Sequence, residues 1–153
     1  MQCLYLKTRR RRGFSLLELT LVIAIIAVLG VIAVPRFANA AARQRLEAAA
    51  LRIDADLHYA QTRARSKSND CTARYAGDNT LALIDSDNTT VTTTNYQATP
   101  YEVQVSVTLD NAGTDLTFNG FGRPDTGGTV TLTGGGGQII LDIDSVTGEV
   151  TRQ

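Results

Sequence analysis

The pattern of apolar and polar residues divides the chain into three parts. The first is an almost uncharged run from Leu16 to Val34, whose 19 residues include a single charge, at Glu18. A helix needs roughly 20 mostly apolar residues to cross a bilayer. The run therefore predicts a membrane-spanning helix.

The second part is predicted to continue as an amphipathic helix over residues 36–66. Its apolar residues recur at intervals of three, four and seven positions, at Leu46, Ala50, Ile53, Leu57 and Ala64. This spacing predicts one buried stripe along the helix. Arg43 and Glu47 are opposite charges four residues apart, as are Arg52 and Asp56. We expect both pairs on the solvent side.

The third part alternates with a period of two and is predicted to form strands. A hairpin is expected from residues 71–75 and 81–84. Residues 85–99 are polar and typical of a long loop that holds one irregular strand. Further strands are predicted at 103–109, 116–118, 130–132, 139–143 and 149–151. The predicted fold class is therefore α+β, a long helix packed on a small antiparallel sheet.

Composition and charge narrow the possible functions. The 153 residues are 43% apolar and 20% charged, which suits a single folded domain. The formal charge is balanced, but residues 75–153 contain two cations against ten acids. Such an acidic half is a poor nucleic-acid surface, so we expect no nucleic-acid partner.

Few residues could carry catalysis or bind a metal. The cysteines, Cys3 and Cys71, have no histidine at ligand spacing, which excludes a zinc site, and Cys71 is expected to be a small buried residue. His58 lies on the predicted helix without an evident nucleophile. Residues 134–137 lack the lysine and the following helix of a phosphate loop and predict a hairpin turn. We expect neither an enzyme nor a cofactor.

Two acidic groups leave calcium binding open. Asp85 and Asp87 begin like a calcium loop that lacks its glycine and its closing glutamate. Asp142 and Asp144 share one face of a predicted strand. A solvated acidic surface is the simpler interpretation of both groups.

Three interpretations compete for the N-terminal segment. A cleaved secretory signal fits the basic start, the apolar run and the small residues Ala38–Ala40. A twin-arginine signal is similar to Arg11–Phe14. Glu18 argues against both, because a carboxylate inside the apolar run costs several kcal/mol of insertion, on the order of 2.5–3.5 kcal/mol, and a disposable signal has no reason to carry it.

The third interpretation explains Glu18 as well. An arginine-rich leader, then Gly13 and Phe14, then Glu18 and an apolar helix, resembles a type IV prepilin. The resemblance implies that a prepilin peptidase cuts after Gly13 on the cytoplasmic face and methylates the new amine of Phe14. It also implies that other pilins or pseudopilins bind through the N-terminal helix.

The same resemblance implies a role for Glu18 and a division of the chain. In a filament, Glu18 would neutralise the terminal amine of a neighbouring subunit, since a buried charge needs a partner. Gly30 and Pro35 are expected points of a kink. The implied parts are a leader at 1–13, a transmembrane and filament-core helix at 14–35, an amphipathic helix at 36–66 and a periplasmic β-rich domain at 67–153. The chain would cross the inner membrane once, in contact with its lipid, with a cytoplasmic N-terminus.

The C-terminal turns and strands resemble a narrower group, minor pseudopilin H and the FimT-like proteins. The segments that carry this likeness are Leu116–Gly122, Gly128–Leu132, Ile139–Asp142 and Thr147–Val150. The resemblance implies a structural subunit in or near the tip of a type II secretion pseudopilus, where it supports protein secretion. The alternative is a minor pilin of a type IV pilus, including a FimT-like role in DNA uptake. Residues 148–152 lack the basic pattern of the DNA-binding relatives.

Overall fold

The structure, a computed structural model, describes residues 13–153, apart from the side chains of residues 32–35. Within this part of the chain, one helix is followed by eight strands. The helix, α1, spans Leu16–Lys67. The strands are β1 Cys71–Ala76, β2 Thr80–Asp85, β3 Thr90–Asn95, β4 Gln104–Leu109, β5 Asp115–Phe118, β6 Gly128–Gly134, β7 Gly137–Ile143 and β8 Val150–Arg152. The predicted α+β class is confirmed.

The chain forms two units that divide between Phe37 and Ala38, and the second unit contains all of these strands. Its strands form two four-stranded sheets, ordered β3-β2-β1-β5 and β4-β6-β7-β8. The neighbouring strands are antiparallel throughout both sheets. The predicted small antiparallel β-sheet domain is confirmed. Its division into two sheets could not be predicted, because periodicity locates strands but does not choose their partners. β4 pairs with β6 rather than with β3, which starts a second sheet.

Strand β3 is more regular than its polar sequence predicts. It pairs with β2 along its length, with one register shift between Leu83 and Ile84. None of its six residues is buried, so it shows no apolar alternation. Four of the six are threonine, whose branched side chain suits a strand at a sheet edge. The expectation of a long loop over residues 85–99 is corrected to a turn, a strand and a second loop.

The predicted stripe along the second half of α1 is confirmed. All five of its residues, together with Ala49 and Ala60, are buried and belong to the hydrophobic core. The same core contains Leu83 and Phe118 from the first sheet and Leu132 from the second. The helix therefore packs on both sheets.

The two charge pairs expected on the solvent side are arranged differently. Asp56 is buried, and its Oδ2 accepts hydrogen bonds from Arg52 Nε at 3.1 Å, from Tyr96 Oη at 3.2 Å and from Thr94 Oγ1 at 3.4 Å. Burial, and then the nearby Asp56 carboxylate, raises the pKa of Tyr96. The buried carboxylate is tolerated because three donors satisfy it.

Glu47, the other acid of these pairs, binds Arg152 instead of Arg43. Both of its carboxylate oxygens accept hydrogen bonds from this guanidinium, with Arg152 Nη2 at 2.7 Å from Oε1. The contact joins α1 to β8, which lies 105 positions away in sequence. Because the guanidinium of Arg152 offers two parallel donors, it satisfies both oxygens of Glu47 at once.

The end of α1 is fixed to β2 through Asp85. Arg63 donates to both of its oxygens, from Nε at 2.9 Å and from Nη2 at 2.8 Å, and Lys67 Nζ lies 2.6 Å from Oδ2. These hydrogen bonds, first from Arg63 and then from Lys67, hold the pKa of Asp85 well below its usual range. The carboxylate is therefore a structural tie between the helix and the first sheet.

The buried stripe yields a test with a matched control on the same helix. Leu57 is 1% exposed and Leu51 is 66% exposed. In the fragment 38–153, we expect Leu57→Ala to lower the free energy of unfolding by about 2–5 kcal/mol, because it leaves a cavity in the core. Leu51→Ala carries the same change in helix propensity and should stay within about 0.5 kcal/mol of wild type. Equal losses in urea unfolding would contradict the stripe.

The Asp85 tie predicts a pH dependence of stability. Because the pKa of Asp85 is depressed in the folded state, its ionised carboxylate should contribute fully to the free energy of unfolding above the ordinary aspartate pKa of about 4. This contribution should decline as the pH falls below that value. Urea unfolding of Asp85→Asn should therefore show lower stability at neutral pH and a flatter decline in acid. Asp115→Asn is the control, since it removes an exposed ion pair with Arg74. An acid decline in Asp85→Asn as steep as in wild type would count against the tie.

Candidate processing and assembly site

The predicted cleavage position lies immediately before the helix. Gly13, Phe14 and Ser15 form no regular element, and α1 begins at Leu16. The carbonyl of Ser15 accepts the first hydrogen bond of the helix, from the Leu19 amide at 3.1 Å. A Cβ atom added to Gly13 would meet nothing within 4 Å. The described residues thus place no steric demand for glycine at this position.

Phe14 and Glu18 lie within one turn of each other at the start of the helix. Phe14 is 80% exposed, and Glu18 is an exposed acid of the first turn. A carboxylate in the first turn is favoured by the helix dipole. Among the described residues, no cation lies within salt-bridge distance of Glu18. The part of the chain that the structure describes therefore leaves this carboxylate without an ionic partner.

The helix that follows Glu18 exposes apolar side chains on all sides. They include Leu21, Ile23, Ile25, Ile26, Val28, Leu29 and Val31, each more than half exposed. The hydroxyl of Thr20 donates a hydrogen bond to the carbonyl oxygen of Leu17 at 2.9 Å, which satisfies this donor without water. The helix is long and apolar enough to cross a membrane, and none of its most apolar stretch is buried.

The predicted kink positions lie inside α1. Gly30 is half-buried, and a Cβ atom there would meet nothing within 4 Å. Pro35 belongs to the residues whose side chains lie outside the description. A kink at Gly30 or Pro35 stays a prediction, as does the leader, whose residues 1–12 also lie outside the described part.

The periodicity of the helix did not reveal the role of Gln61. Its buried amide donates to the carbonyl oxygens of Gly122 and Thr147, both at 2.8 Å. One side chain thus joins two loops to α1. A signal was present in the sequence, because Gln61 follows Leu57 by four positions and precedes Ala64 by three, which places a polar residue on the apolar stripe.

The groups considered for calcium hold turns together. Asp87 Oδ1 accepts the amide of Thr89 at 3.0 Å, and Asp144 Oδ1 accepts the amide of Thr147 at 2.7 Å. These backbone hydrogen bonds are the main reason why the pKa values of Asp87 and Asp144 are lowered. Over residues 13–153, no three His, Cys, Asp or Glu side chains are grouped so that they could hold a metal ion.

Comparison with known families matches both halves of the chain. Residues 8–34 match the prokaryotic N-terminal methylation motif. Residues 49–147 match the type II transport protein GspH. No curated protein matches the sequence at a significant level.

Two solved structures share the fold of this chain. Both are crystal structures of the type IV minor pilin FimU of Pseudomonas aeruginosa strain PAO1. The first is 18% identical with a TM-score of 0.55, covering 72% of this chain and 88% of that one. The second is 17% identical with a TM-score of 0.53, covering 70% of this chain and 91% of that one.

The long helix, the antiparallel sheets and the methylation motif define a pilin-like protein. The match to GspH covers well over half of the residues of this chain. The chain therefore belongs to the family of the type II transport protein GspH, and it is a minor pseudopilin. The resemblance to minor pseudopilin H is thereby confirmed. The motif further implies processing by a peptidase and assembly with other pilins or pseudopilins.

The methylation motif around Gly13 and Phe14 predicts how the chain is processed. Mass spectrometry of the wild-type protein should give an N-methylated Phe14 as the first residue. Gly13→Leu should keep the leader attached, because a peptidase has to approach the backbone there, while the folded domain stays unchanged. Ser15→Ala is the control and should be cut normally. An intact Met1, or a cut after Ala40, in wild type would contradict the assignment.

Proposed function

We propose that the mature protein, Phe14–Gln153, is a structural subunit in or near the tip of a type II secretion pseudopilus, where it supports protein secretion. The observation that carries the proposal is the presence of the methylation motif and the GspH match on one chain. The residues that match the methylation motif include an apolar helical segment that no described residue covers. Such a surface requires lipid, or other helices of its kind.

Charge and hydropathy support a single-pass topology. Five cations precede Gly13, and residues 19–35 contain no charge. Cations flanking a membrane helix favour the cytoplasmic side. The proposed division is a leader at 1–13, a helix in inner-membrane lipid at 14–35, an amphipathic helix at 36–66 and a periplasmic domain at 67–153.

Glu18 is proposed to act in assembly. When the apolar helices leave the bilayer and pack together, each methylated terminal amine becomes a cation in an apolar environment. An unpaired buried charge is heavily penalised, whereas an ion pair is tolerated. The exposed Glu18 carboxylate, one turn from Phe14, can reach the amine of an axially displaced neighbour.

A structural role also agrees with the chemistry of the domain. His58 is an exposed helix residue whose Nε2 lies 3.8 Å from Asp54 Oδ1. Cys71 is buried and forms no disulfide within the described residues, and its burial raises the pKa of its thiol, so little reactive thiolate forms. We propose that the protein is not an enzyme.

The competing proposal is a minor pilin of a type IV pilus, and the shared fold with FimU is the observation that favours it. A DNA-uptake role has less support, because acids of the same sheet-bearing unit occupy several cations of the helix. Arg45 binds Glu102, Arg63 and Lys67 bind Asp85, and Arg52 binds Asp56. Phosphate binding requires free cations. The major subunit that co-purifies with the protein distinguishes a pseudopilus from a pilus.

Glu18→Ala and Glu18→Gln test the assembly role. Both variants should be inserted, cut and methylated, because the change removes a charge from an apolar helix. Their recovery in sheared filaments should fall strongly, since breaking a buried pair costs about 3–5 kcal/mol. Membrane level, N-methylation and filament recovery are measured on the same cultures.

Glu149→Gln is the control for these variants, because it neutralises an exposed acid in the sheet domain. It should be recovered like wild type. Normal recovery of both Glu18 variants would show that this carboxylate is not the counter-charge.

A further inference from the structure

The apolar segment of α1 ends in a cation and an aromatic residue, which we call the Arg36–Phe37 pair. Arg36 is the first charged residue after Glu18, and Phe37 is the first aromatic residue after Phe14. Both side chains are exposed, Phe37 to 75%. They belong to the unit of the chain that ends at Phe37. A single exposed aromatic residue is ordinary on a protein surface, so exposure alone implies no partner.

The spacing of the two charges in this unit matches the thickness of a membrane. Glu18 and Arg36 lie in one continuous helix, and residues 19–35 between them contain no charge. At 1.5 Å per residue, the step from Glu18 to Arg36 is about 27 Å along the helix axis. The hydrocarbon core of a bilayer is about 30 Å thick. A helix across the membrane can therefore place both charges at its two boundaries.

This arrangement also restricts how far the helix can move along its axis. A large displacement in either direction would draw Glu18 or Arg36 into the hydrocarbon, where a charged side chain is strongly disfavoured. The long side chain of an arginine can extend its aliphatic stem along the apolar region and keep its guanidinium at the headgroups. The boundary next to Phe37 is therefore the favourable depth for Arg36.

Aromatic residues lie at both ends of the apolar segment and are missing between them. Phe14 is 80% exposed and precedes the helix, and residues 15–36 contain no aromatic residue. Aromatic side chains are enriched where a helix meets the two interfaces of a membrane, and helices that lie at an interface also use phenylalanine. The Arg36–Phe37 pair thus combines an apolar ring and a cation at one depth.

Arg36 has no acidic partner in the part of the chain that the structure describes. Over residues 13–153, no carboxylate lies within salt-bridge distance of its guanidinium. The acids nearest to it in sequence are Glu18 and Glu47, and Glu47 is bound to Arg152. A guanidinium offers parallel N–H donors that suit the oxygens of a phosphate. Phospholipid headgroups present such phosphates at the membrane boundary.

We propose that the Arg36–Phe37 pair is a binding site for anionic phospholipid headgroups at the periplasmic face of the inner membrane. Arg36 binds the lipid phosphate, and Phe37 packs among the upper parts of the acyl chains. The pair thereby fixes the depth of the helix and holds Glu18 at the opposite face until the subunit enters a filament. The membrane location itself rests on the proposed single-pass topology.

Removal of the leader increases the importance of this site. The proposed cut after Gly13 removes five cations, Lys7 and the arginines at 9–12. Basic residues next to a membrane helix are attracted to anionic headgroups, so this cut removes an electrostatic hold on the cytoplasmic face. In the mature segment 14–37, Arg36 is the only cationic side chain. The processed subunit therefore depends on the Arg36–Phe37 pair for its depth.

A carboxylate of a neighbouring subunit is the competing partner for Arg36. The spacing of Glu18 and Arg36 favours the headgroup, because a contact between proteins does not require a separation close to the thickness of a bilayer. The two partners also differ in what they predict. Only the headgroup site gives the isolated subunit a preference for anionic lipid.

Tryptophan fluorescence in vesicles tests the depth of the pair. The chain contains no tryptophan, so Phe37→Trp in the full chain provides a single fluorophore. The variant is reconstituted into phosphatidylcholine vesicles whose acyl chains carry bromine either near the headgroup or near the chain end. We expect stronger quenching by the bromine near the headgroup. Val28→Trp, close to the midpoint between the two charges, should show the opposite order.

Tyr59→Trp is the control outside the bilayer. Tyr59 is an exposed residue of the sheet-bearing unit, and neither bromine should quench a tryptophan there.

Brominated lipids of different charge test the phosphate contact. The bromine near the headgroup is placed on phosphatidylglycerol or on phosphatidylcholine, at equal amounts in otherwise identical vesicles. We expect phosphatidylglycerol to quench the tryptophan at position 37 more strongly, through a local enrichment of up to about fivefold for one basic residue. Adding Arg36→Gln should abolish this difference and shift the quenching toward the chain end. Arg36→Lys, which keeps the charge, should retain most of the preference.

Three results would overturn the proposal. They are equal quenching at position 37 by bromine at the two depths, equal quenching by the two lipids while Arg36 is present, and an unchanged preference for phosphatidylglycerol after Arg36→Gln. Equal quenching by the two lipids with the headgroup depth retained would favour a carboxylate of another subunit as the partner.

The two tryptophan positions separate this inference from the proposed function. If the tryptophan at position 28 is quenched and the one at position 37 is not, the headgroup site is wrong and the single-pass topology stands. If neither position is quenched, the apolar segment does not enter the bilayer and the proposed topology fails.

Discussion

The whole protein depends on one helix whose two halves need different surroundings. From Leu16 to Val31, α1 exposes apolar side chains in every direction, and no described residue covers them. From Leu46 to Ala64 it has one apolar stripe, which the two sheets bury. The exposed half can be stable only in lipid or among similar helices. Membrane anchoring and assembly thus follow from the same surface.

The second half of α1 also organises the polar contacts of the sheet domain. Asp56 holds the loop after β3 through Tyr96, Gln61 holds two loops at once, and Arg63 holds the end of β2 through Asp85. Each of these side chains is satisfied by groups far away in sequence. A buried polar group that lost its partner would cost free energy, so these contacts fix the sheets to the helix in one arrangement.

The charged side chains that form no ion pair within the subunit relate its fold to assembly. Most cations of the sheet-bearing unit are bound to acids of the same unit, which leaves little free positive surface. Glu18 in the apolar segment, and Arg65 and Arg123 in the sheet-bearing unit, have no such partner among the described residues. Charges left unpaired in one subunit are the ones that a neighbouring subunit can use. Glu18 and Arg65 lie near opposite ends of the sequence of α1.

The sequence by itself determined the features that repeat over a few residues. The extent of α1, its stripe, the positions of most strands and the Gly13, Phe14 and Glu18 pattern are all local, and periodicity or spacing reveals them. The tertiary structure decided which groups meet across long distances. The two sheets, the burial of Asp56 and the Glu47 bond to Arg152, 105 positions apart, depend on strand pairing that periodicity leaves open. The exposure of Phe121 was likewise decided by the tertiary structure, in which Gln61 and Arg65 donate to the carbonyls of its loop, because a phenylalanine that follows a buried strand is as compatible with the core as with solvent.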